Sequence, residues 1–318
     1  MSPIADTASM LAAASHIDPV FLDSPLVSDI GLDAALGCQL LAKNETANPI
    51  GSFKGRGAEL FAATALRPGE AVVCASAGNF GQGLAYAATR RGHACIVFAA
   101  KTANPVKITA MRRLGAEVHL EGADFDAAKQ AARTYADASG LRFVEDGAEP
   151  AIAEGAGTIA LELHRVAAFD AVLVPLGNGA LLEGIGAALR QLAPATEIIA
   201  VVAQNAPAMK RSLEAGTPIE TTRADTIADG IAVRVPIASR LDYLRRCCDS
   251  VAAVSEAQIF EAMRLIHQHL HLTVEPAGAV GIAAVLADPW RFAGRRIATV
   301  LCGGNLSDQV RRRLLALA

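Results

Sequence analysis

From Ala71 onward the chain alternates short β-branched runs with longer alanine-rich amphipathic segments, the pattern of successive strand and helix units. The spacing predicts strands over 72–75, 94–98, 117–120 and 142–144, with helices over 79–90, 105–114 and 124–138 between them. These elements make a compact four-strand unit. A second series runs as helix 152–166, strand 171–174, helix 179–192 and strand 197–203, with strand 297–301 and helix 307–316 near the C-terminus. Upstream, 39–42 reads as a short strand and 57–66 as a helix with Leu60 and residues 63–65 on its inner side. Such alternation predicts an α/β fold with helices packed on largely parallel sheet. The stretch 217–236 is the least regular and reads as a loop region facing substrate.

Composition narrows the class. At 318 residues the chain has room for two compact units. It is 52% hydrophobic but only 4% aromatic, so its apolar content is mostly Ala, Val, Leu and Ile, which suits helices on parallel sheet. A net charge of −3 with both signs interspersed, and no basic block, argues against a nucleic-acid partner. No apolar run approaches the roughly 18 residues of a membrane span, and the N-terminus lacks a basic leader pattern, so a cytoplasmic protein away from membranes is expected. Cys38, Cys74, Cys95, Cys247, Cys248 and Cys302 include no C-x-x-C pair and read as reduced thiols.

Candidate chemistry begins at Pro49-Ile50-Gly51-Ser52-Phe53-Lys54-Gly55-Arg56-Gly57, a glycine-bounded turn that sets Lys54 between a strand and a helix. The ordinary alternative is a solvent-facing lysine. Ser76-Ala77-Gly78-Asn79 follows a strand and opens a helix, where backbone amides approach an anion or, alternatively, Ser76 or Asn79 caps the helix. Gly177-Asn178-Gly179-Ala180-Leu181 repeats that arrangement and would cradle a phosphate on the helix dipole. Leu182 stands where the dinucleotide fingerprint needs its third glycine, and the lysine turn lacks G-K-[ST], so a nucleotide site is disfavoured. Cys302-Gly303-Gly304-Asn305 ends the last strand; alone, Cys302 reads as a small buried hydrophobe. Ala228-Asp229-Gly230 and Glu275-Pro276-Ala277-Gly278-Ala279 each set a carboxylate beside a glycine turn or helix start. A lysine for a Schiff base, a phosphate cradle and polar groups to tune a ring are the parts of a pyridoxal-phosphate site.

Taken in order, these motifs resemble the fold-type II pyridoxal-phosphate enzymes, the tryptophan synthase beta-like family, in its serine/threonine dehydratase branch. The resemblance covers nearly the whole chain. It implies two open twisted sheets flanked by helices, with the cofactor between a large domain (1–66 and 147–318) and a small one (67–146). It makes Lys54 the Schiff-base lysine beside Phe53. Asn79 then meets the ring's phenolic oxygen, residues Gly177, Asn178, Gly179, Ala180 and Leu181 hold the phosphate, Cys302 faces the pyridine nitrogen, and Gly230 and Glu275 complete the cofactor contacts. Ser76, Ala77, Gly78 and Asn79 receive the substrate carboxylate. A homodimer or homotetramer acting on a small amino acid is implied.

Departures from the family pattern sharpen the expectation. Cys302 stands where Ser or Thr is usual, Phe80 replaces a frequent histidine, and Asn178 interrupts a glycine run. Ala77 occupies the place of the serine that racemases use as a second acid/base, which leaves elimination. Val202 and Ala208 fall where some relatives carry cation-binding carboxylates, so no metal is expected there. The chain closes soon after Asn305, leaving no room for a C-terminal regulatory domain. The implied reaction is β-elimination from L-threonine or L-serine to a 2-oxo acid and ammonia, with neutral Lys54 removing the α-proton and the cofactor phosphate protonating the departing hydroxide. The alternatives are β-replacement, as in cysteine- or threonine-forming relatives, and a non-catalytic amino-acid-binding protein, against which the retained Lys54 argues.

Overall fold

The computed structural model describes residues 6–315. Its strands are β1 Leu26–Val27, β2 Gln39–Asn44, β3 Val72–Ala75, β4 Cys95–Ala99, β5 Glu117–Leu120, β6 Arg142–Val144, β7 Ala171–Pro175, β8 Glu197–Ala203, β9 Ser250–Val254 and β10 Arg296–Leu301. They form a six-stranded sheet in the order β1-β2-β10-β7-β8-β9 and a four-stranded sheet in the order β5-β4-β3-β6. Only the β1–β2 pairing is antiparallel among these strands. β4 and β7 are buried along their whole length and β8 along all but its first residue, as strands covered by helices on both faces must be. The largest apolar cluster joins β7, β8 and β10 to the helices around them, and a smaller one lies against β3 and β4.

The predicted strand and helix alternation between 72 and 203 is observed, with ends shifted by at most two residues. The lysine segment differs. Its helix is Lys54–Thr64, so Lys54 is the first helical residue rather than a turn residue ahead of a helix at 57–66. The glycines that suggested a turn serve packing instead: a Cβ on Gly57 would lie 2.4 Å from the Ile152 carbonyl oxygen, and one on Gly155 would lie 2.6 Å from that of Arg56. The helices Lys54–Thr64 and Pro150–Val166 therefore cross backbone to backbone. The inner face is Ala58, Leu60, Phe61 and Ala62, whereas Thr64 is exposed. Helix Pro276–Ala287, which the pattern does not predict, is apolar on every side and buried, so it has no amphipathic period to read. The C-terminal helix is described as Asp308–Leu315; residue 316 of the predicted helix lies outside the described residues.

Two residues beyond Lys54, the fully buried Arg56 fixes this region electrostatically. Its guanidinium donates in a fork to Glu45, Nε to Oε2 at 2.9 Å and Nη2 to Oε1 at 2.8 Å. A second fork meets Glu162, Nη1 to Oε1 at 2.5 Å and Nη2 to Oε2 at 2.9 Å, while Nη1 also donates to Thr158 Oγ1 at 3.0 Å. Lys43 Nζ lies 2.6 Å from Glu162, so two cations balance two carboxylates. Removing one member leaves buried charge without a partner, which costs about 3–5 kcal/mol. Arg56→Ala is expected to lower unfolding free energy in urea by about that amount, and Arg56→Lys, lacking the paired forks, to recover only part of it.

Candidate active site

The carboxyl ends of β3, β6, β7 and β10 converge on one cleft of about 540 Å³. Open α/β sheets gather their ligands at such strand ends. Each residue predicted for the site lines this cleft: Phe53, Lys54, Ser76, Ala77, Gly78, Asn79, Gly177, Asn178, Gly179, Ala180, Leu181, Gly230, Glu275 and Cys302. The irregular stretch 217–236 also reaches it, through residues 222–225 and 229–235.

Distant parts of the chain are stitched together here by polar contacts. The loop after β10 binds the lysine turn: Phe53 N donates to the Cys302 carbonyl at 3.1 Å, Gly304 N to that of Gly51 at 2.9 Å, and Asn305 Nδ2 to that of Ile50 at 2.8 Å. Asn305 Nδ2 also donates to Asn79 Oδ1 at 2.8 Å, and Asn79 Nδ2 donates to Glu275 Oε1 at 2.7 Å. Asn79 is thereby fixed on both sides of its amide. Gly303 must be small, because a Cβ there would lie 2.4 Å from Glu275 Oε1. Lys54 makes an ion pair with Asp146 and sits 4.7 Å from the centroid of the Phe53 ring.

Both anion-facing helices open at a glycine. Gly78 is the N-cap residue of Asn79–Arg90 and Gly179 that of Ala180–Leu192, and neither carries a side chain that could cap its helix. Of the two capping alternatives, Ser76 is the one observed, from two residues ahead of the N-cap position: its Oγ accepts from the backbone N–H of Gly78 at 3.2 Å and of Gly81, in the first helical turn, at 2.9 Å. Gly179 has φ of +107°, a region that side chains rarely adopt, and a Cβ on Gly177 would lie 2.9 Å from the Gly230 carbonyl oxygen. Small residues and an uncapped N-terminus together form a cradle for an anionic group.

The electrostatics are uneven. Burial pushes the Glu275 carboxyl up to about 7, with the Asp229 charge adding to the rise and Lys107, Asn79 and Lys54 opposing it. Its Oε2 is buried with no hydrogen-bond partner among the described residues. Burial likewise pushes the Cys302 thiol far up, aided by Glu275, so it is a neutral group. Burial presses Lys107 downward, but Asp229, 2.6 Å from its Nζ, and Glu275 outweigh it and leave the ammonium favoured.

An uncapped phosphate cradle, a lysine amine in the same cleft, a neutral thiol and a buried carboxyl oxygen without a partner fit pyridoxal phosphate. An α/β protein holding a lysine-bearing anion site between two sheets is the class these features define. Comparison with known proteins fixes the family: residues 17–303 match the pyridoxal-phosphate dependent enzymes, and the chain belongs to that family. It is 34% identical to an L-threonine ammonia-lyase of Thermotoga maritima, covering 89% of this chain and 71% of the relative. A beta-hydroxyaspartate dehydratase of Paracoccus denitrificans is 33% identical, with 93% and 95% covered. Of the longer biosynthetic threonine dehydratase of Salmonella typhimurium, 33% identical, the chain spans 56%. Among solved structures, a threonine deaminase of T.th. superposes with a TM-score of 0.89 at 33% identity over 95% of this chain and 99% of that one.

Sequence reasoning missed Asp146, Lys107 and Arg234, which line the same cleft. Asp146 follows β6 and precedes Gly147, so applying the strand-end rule to every strand, rather than to glycine-rich turns alone, finds it. Lys107 lies inside helix Pro105–Arg113 and carries no local signal. Among the described residues no group of three or more His, Cys, Asp or Glu is placed to hold a metal ion.

Glu275 yields a stability prediction for the cofactor-free protein. Its folded pKa, about 7, lies above the ordinary 4.5, so the folded state keeps a proton that the unfolded chain has lost between those values. The contribution is fully present below pH 4.5 and lost as pH rises through 7, to a total of about 3 kcal/mol. Urea unfolding at pH 5 and pH 8 is expected to show this loss in the wild type and a smaller one in Glu275→Gln.

Proposed function

We propose that the chain is a pyridoxal-phosphate dependent ammonia-lyase that eliminates water from a β-hydroxy-amino acid such as L-threonine or L-serine, yielding a 2-oxo acid and ammonia. The observation that carries this reading is Lys54, the amine in a cleft whose Ser76–Asn79 loop offers alanine, not a hydroxyl or acid, at position 77. The names of the relatives and the threonine deaminase likeness support the same chemistry.

Roles follow from position. Bound there, pyridoxal phosphate supplies an aldehyde for the amine and a ring that withdraws charge from Cα. The uncapped N-terminus at Gly179 would hold the phosphate group through the amides of residues 177–181. Asn79, clamped by Asn305 and Glu275, would orient the ring, with Phe53 and Gly230 lining the same cleft. Cys302, neutral and a weak donor, leaves the pyridine nitrogen without a strong acid, which favours prompt loss of the leaving group. The N-terminus of Asn79–Arg90 and the Ser76–Asn79 loop receive the substrate carboxylate, and Lys54 as free amine takes the α-proton.

Residues 67–146 are read as the smaller of two domains, since the four-stranded sheet lies wholly within them. The same reading makes the protein a cytoplasmic homodimer or homotetramer. Six free cysteines suit a reducing compartment, and no helix is long and apolar enough to cross a membrane.

Release of ammonia and 2-oxo acid from L-threonine or L-serine, with no dependence on added sulfide, is the expected result. A product formed only when sulfide is present indicates β-replacement instead. Lys54→Ala is expected to abolish elimination while leaving the fold intact by circular dichroism. Because Ala77 offers no proton to the opposite face of Cα, the wild type should return unreacted L-substrate without D-isomer on chiral chromatography. Ala77→Ser is expected to introduce measurable D-isomer.

A further inference from the structure

The ion pair between Lys54 and Asp146 carries an inference about how this site handles protons, and it rests on the elimination reading above. Asp146 sits in the turn that follows β6, whose backbone is held by contacts other than Lys54. The turn is closed by the Ala148 N–H donating to the Glu145 carbonyl at 3.0 Å. Gly147, at φ of +85°, packs so closely on the 177–181 loop that a Cβ would lie 2.6 Å from the Asn178 carbonyl oxygen. Helix Pro150–Val166 begins directly beyond and crosses the lysine helix backbone to backbone. Asp146 is therefore built into the frame that also presents Lys54 and the phosphate cradle.

One carboxylate oxygen, Oδ2, accepts from Lys54 Nζ; the other, Oδ1, is buried with no hydrogen-bond partner among the described residues. Native proteins pair most buried oxygens with protein groups or with water, so an oxygen without a protein partner in this cleft is open to a bound molecule. The charge of Lys54 also reaches Glu275 and Cys302 on the large-sheet side, without contact, and Lys107 is paired with Asp229. Of these, only Asp146 contacts the amine.

We propose that Asp146 is a second catalytic residue, the proton partner of Lys54 that protonates the departing hydroxyl. Passing one proton from Lys54 Nζ to Asp146 breaks an N–H bond and forms an O–H bond, converting ammonium and carboxylate into amine and carboxylic acid. The amine then takes the α-proton as the Cα–H bond breaks. The acid gives its proton to the β-oxygen as the Cβ–O bond breaks, its electron pair leaving with the oxygen as water and the Cα–H pair becoming the new double bond. The pair ends as ammonium and carboxylate, and the same internal transfer resets it. No outside reactant is consumed. Leaving-group protonation thereby falls to a side chain rather than to the cofactor phosphate.

The test uses the cofactor-loaded protein, Asp146→Asn and Asp146→Glu, with two substrates of different leaving group. L-Serine must expel hydroxide, whereas β-chloro-L-alanine expels chloride, which needs no proton. For Asp146→Asn, kcat on serine should fall about 10²- to 10³-fold with KM changed little, the range of general acid catalysis. On chloroalanine the same variant should stay within about tenfold of wild type, and Asp146→Glu should recover part of the serine activity. Without substrate, the pH titration of the visible absorbance of the lysine-bound cofactor gives a second readout. Loss of the carboxylate should move its midpoint to lower pH, because the negative charge favours the protonated nitrogen. Equal losses on both substrates with an unmoved midpoint would overturn the proposal. A wild type that expels chloride but releases nothing from any hydroxy-amino acid would overturn the proposed function instead, while the titration would still report on Asp146.

Discussion

Everything in this site hangs on the forked grip of Arg56 on Glu45 and Glu162. Glu45 directly follows β2, Arg56 lies two residues beyond Lys54 in the first turn of the lysine helix, and Glu162 belongs to the long helix after the turn that carries Asp146. A single guanidinium thus ties a strand end, the lysine and the frame of the small-sheet edge into one rigid body. Buried ion pairs add little net stability, because desolvation offsets their attraction. Their geometry is nevertheless demanding, since any rotation of the lysine helix would leave a carboxylate without its partner. Lys43 and Thr158 satisfy remaining groups, so the network is closed.

From that anchor the chemistry is arranged by contrast. Helix N-termini that open at a glycine make the cleft attractive to anions at two points, while burial holds Cys302 neutral and raises Glu275. Around Lys54 the balance differs again, with a carboxylate in contact and an aromatic face beside it. A reaction that carries a proton from one carbon and a hydroxyl from the next needs both kinds of environment within one cavity. The wider rim, from residues 222–225 and 229–235, brings Arg223 and Arg234 to the cleft, paired with Asp225 and Asp126.

Much of this was legible in the sequence. The alternation of short β-branched runs with amphipathic segments between 72 and 203 gave the parallel sheet units, because the most apolar of those runs are strands covered by helices on both faces. Each glycine-rich stretch that followed a strand proved to line the cleft, since small residues at strand ends are what let backbone approach a ligand. The illegible parts have physical causes. Gly55 and Gly57 read as turn residues, yet Gly57 serves a helix crossing that depends on Gly155, nearly a hundred residues away, and a Cβ on Gly55 would collide with the Phe21 ring. Helix Pro276–Ala287 is apolar all round and leaves no periodic trace. Asp146 and Lys107 are single charges whose meaning comes from tertiary partners, Lys54 and Asp229, and no local spacing encodes that.

The central claim is that Lys54 is the amine that captures the cofactor. It is tested most directly by loading the protein with pyridoxal phosphate, reducing with borohydride and locating the adduct by peptide mass spectrometry. The account predicts a single modified peptide, with the pyridoxyl group on Lys54. A colourless preparation with no adduct, or an adduct on Lys43, Lys107 or another lysine while Lys54 stays unmodified, would contradict it.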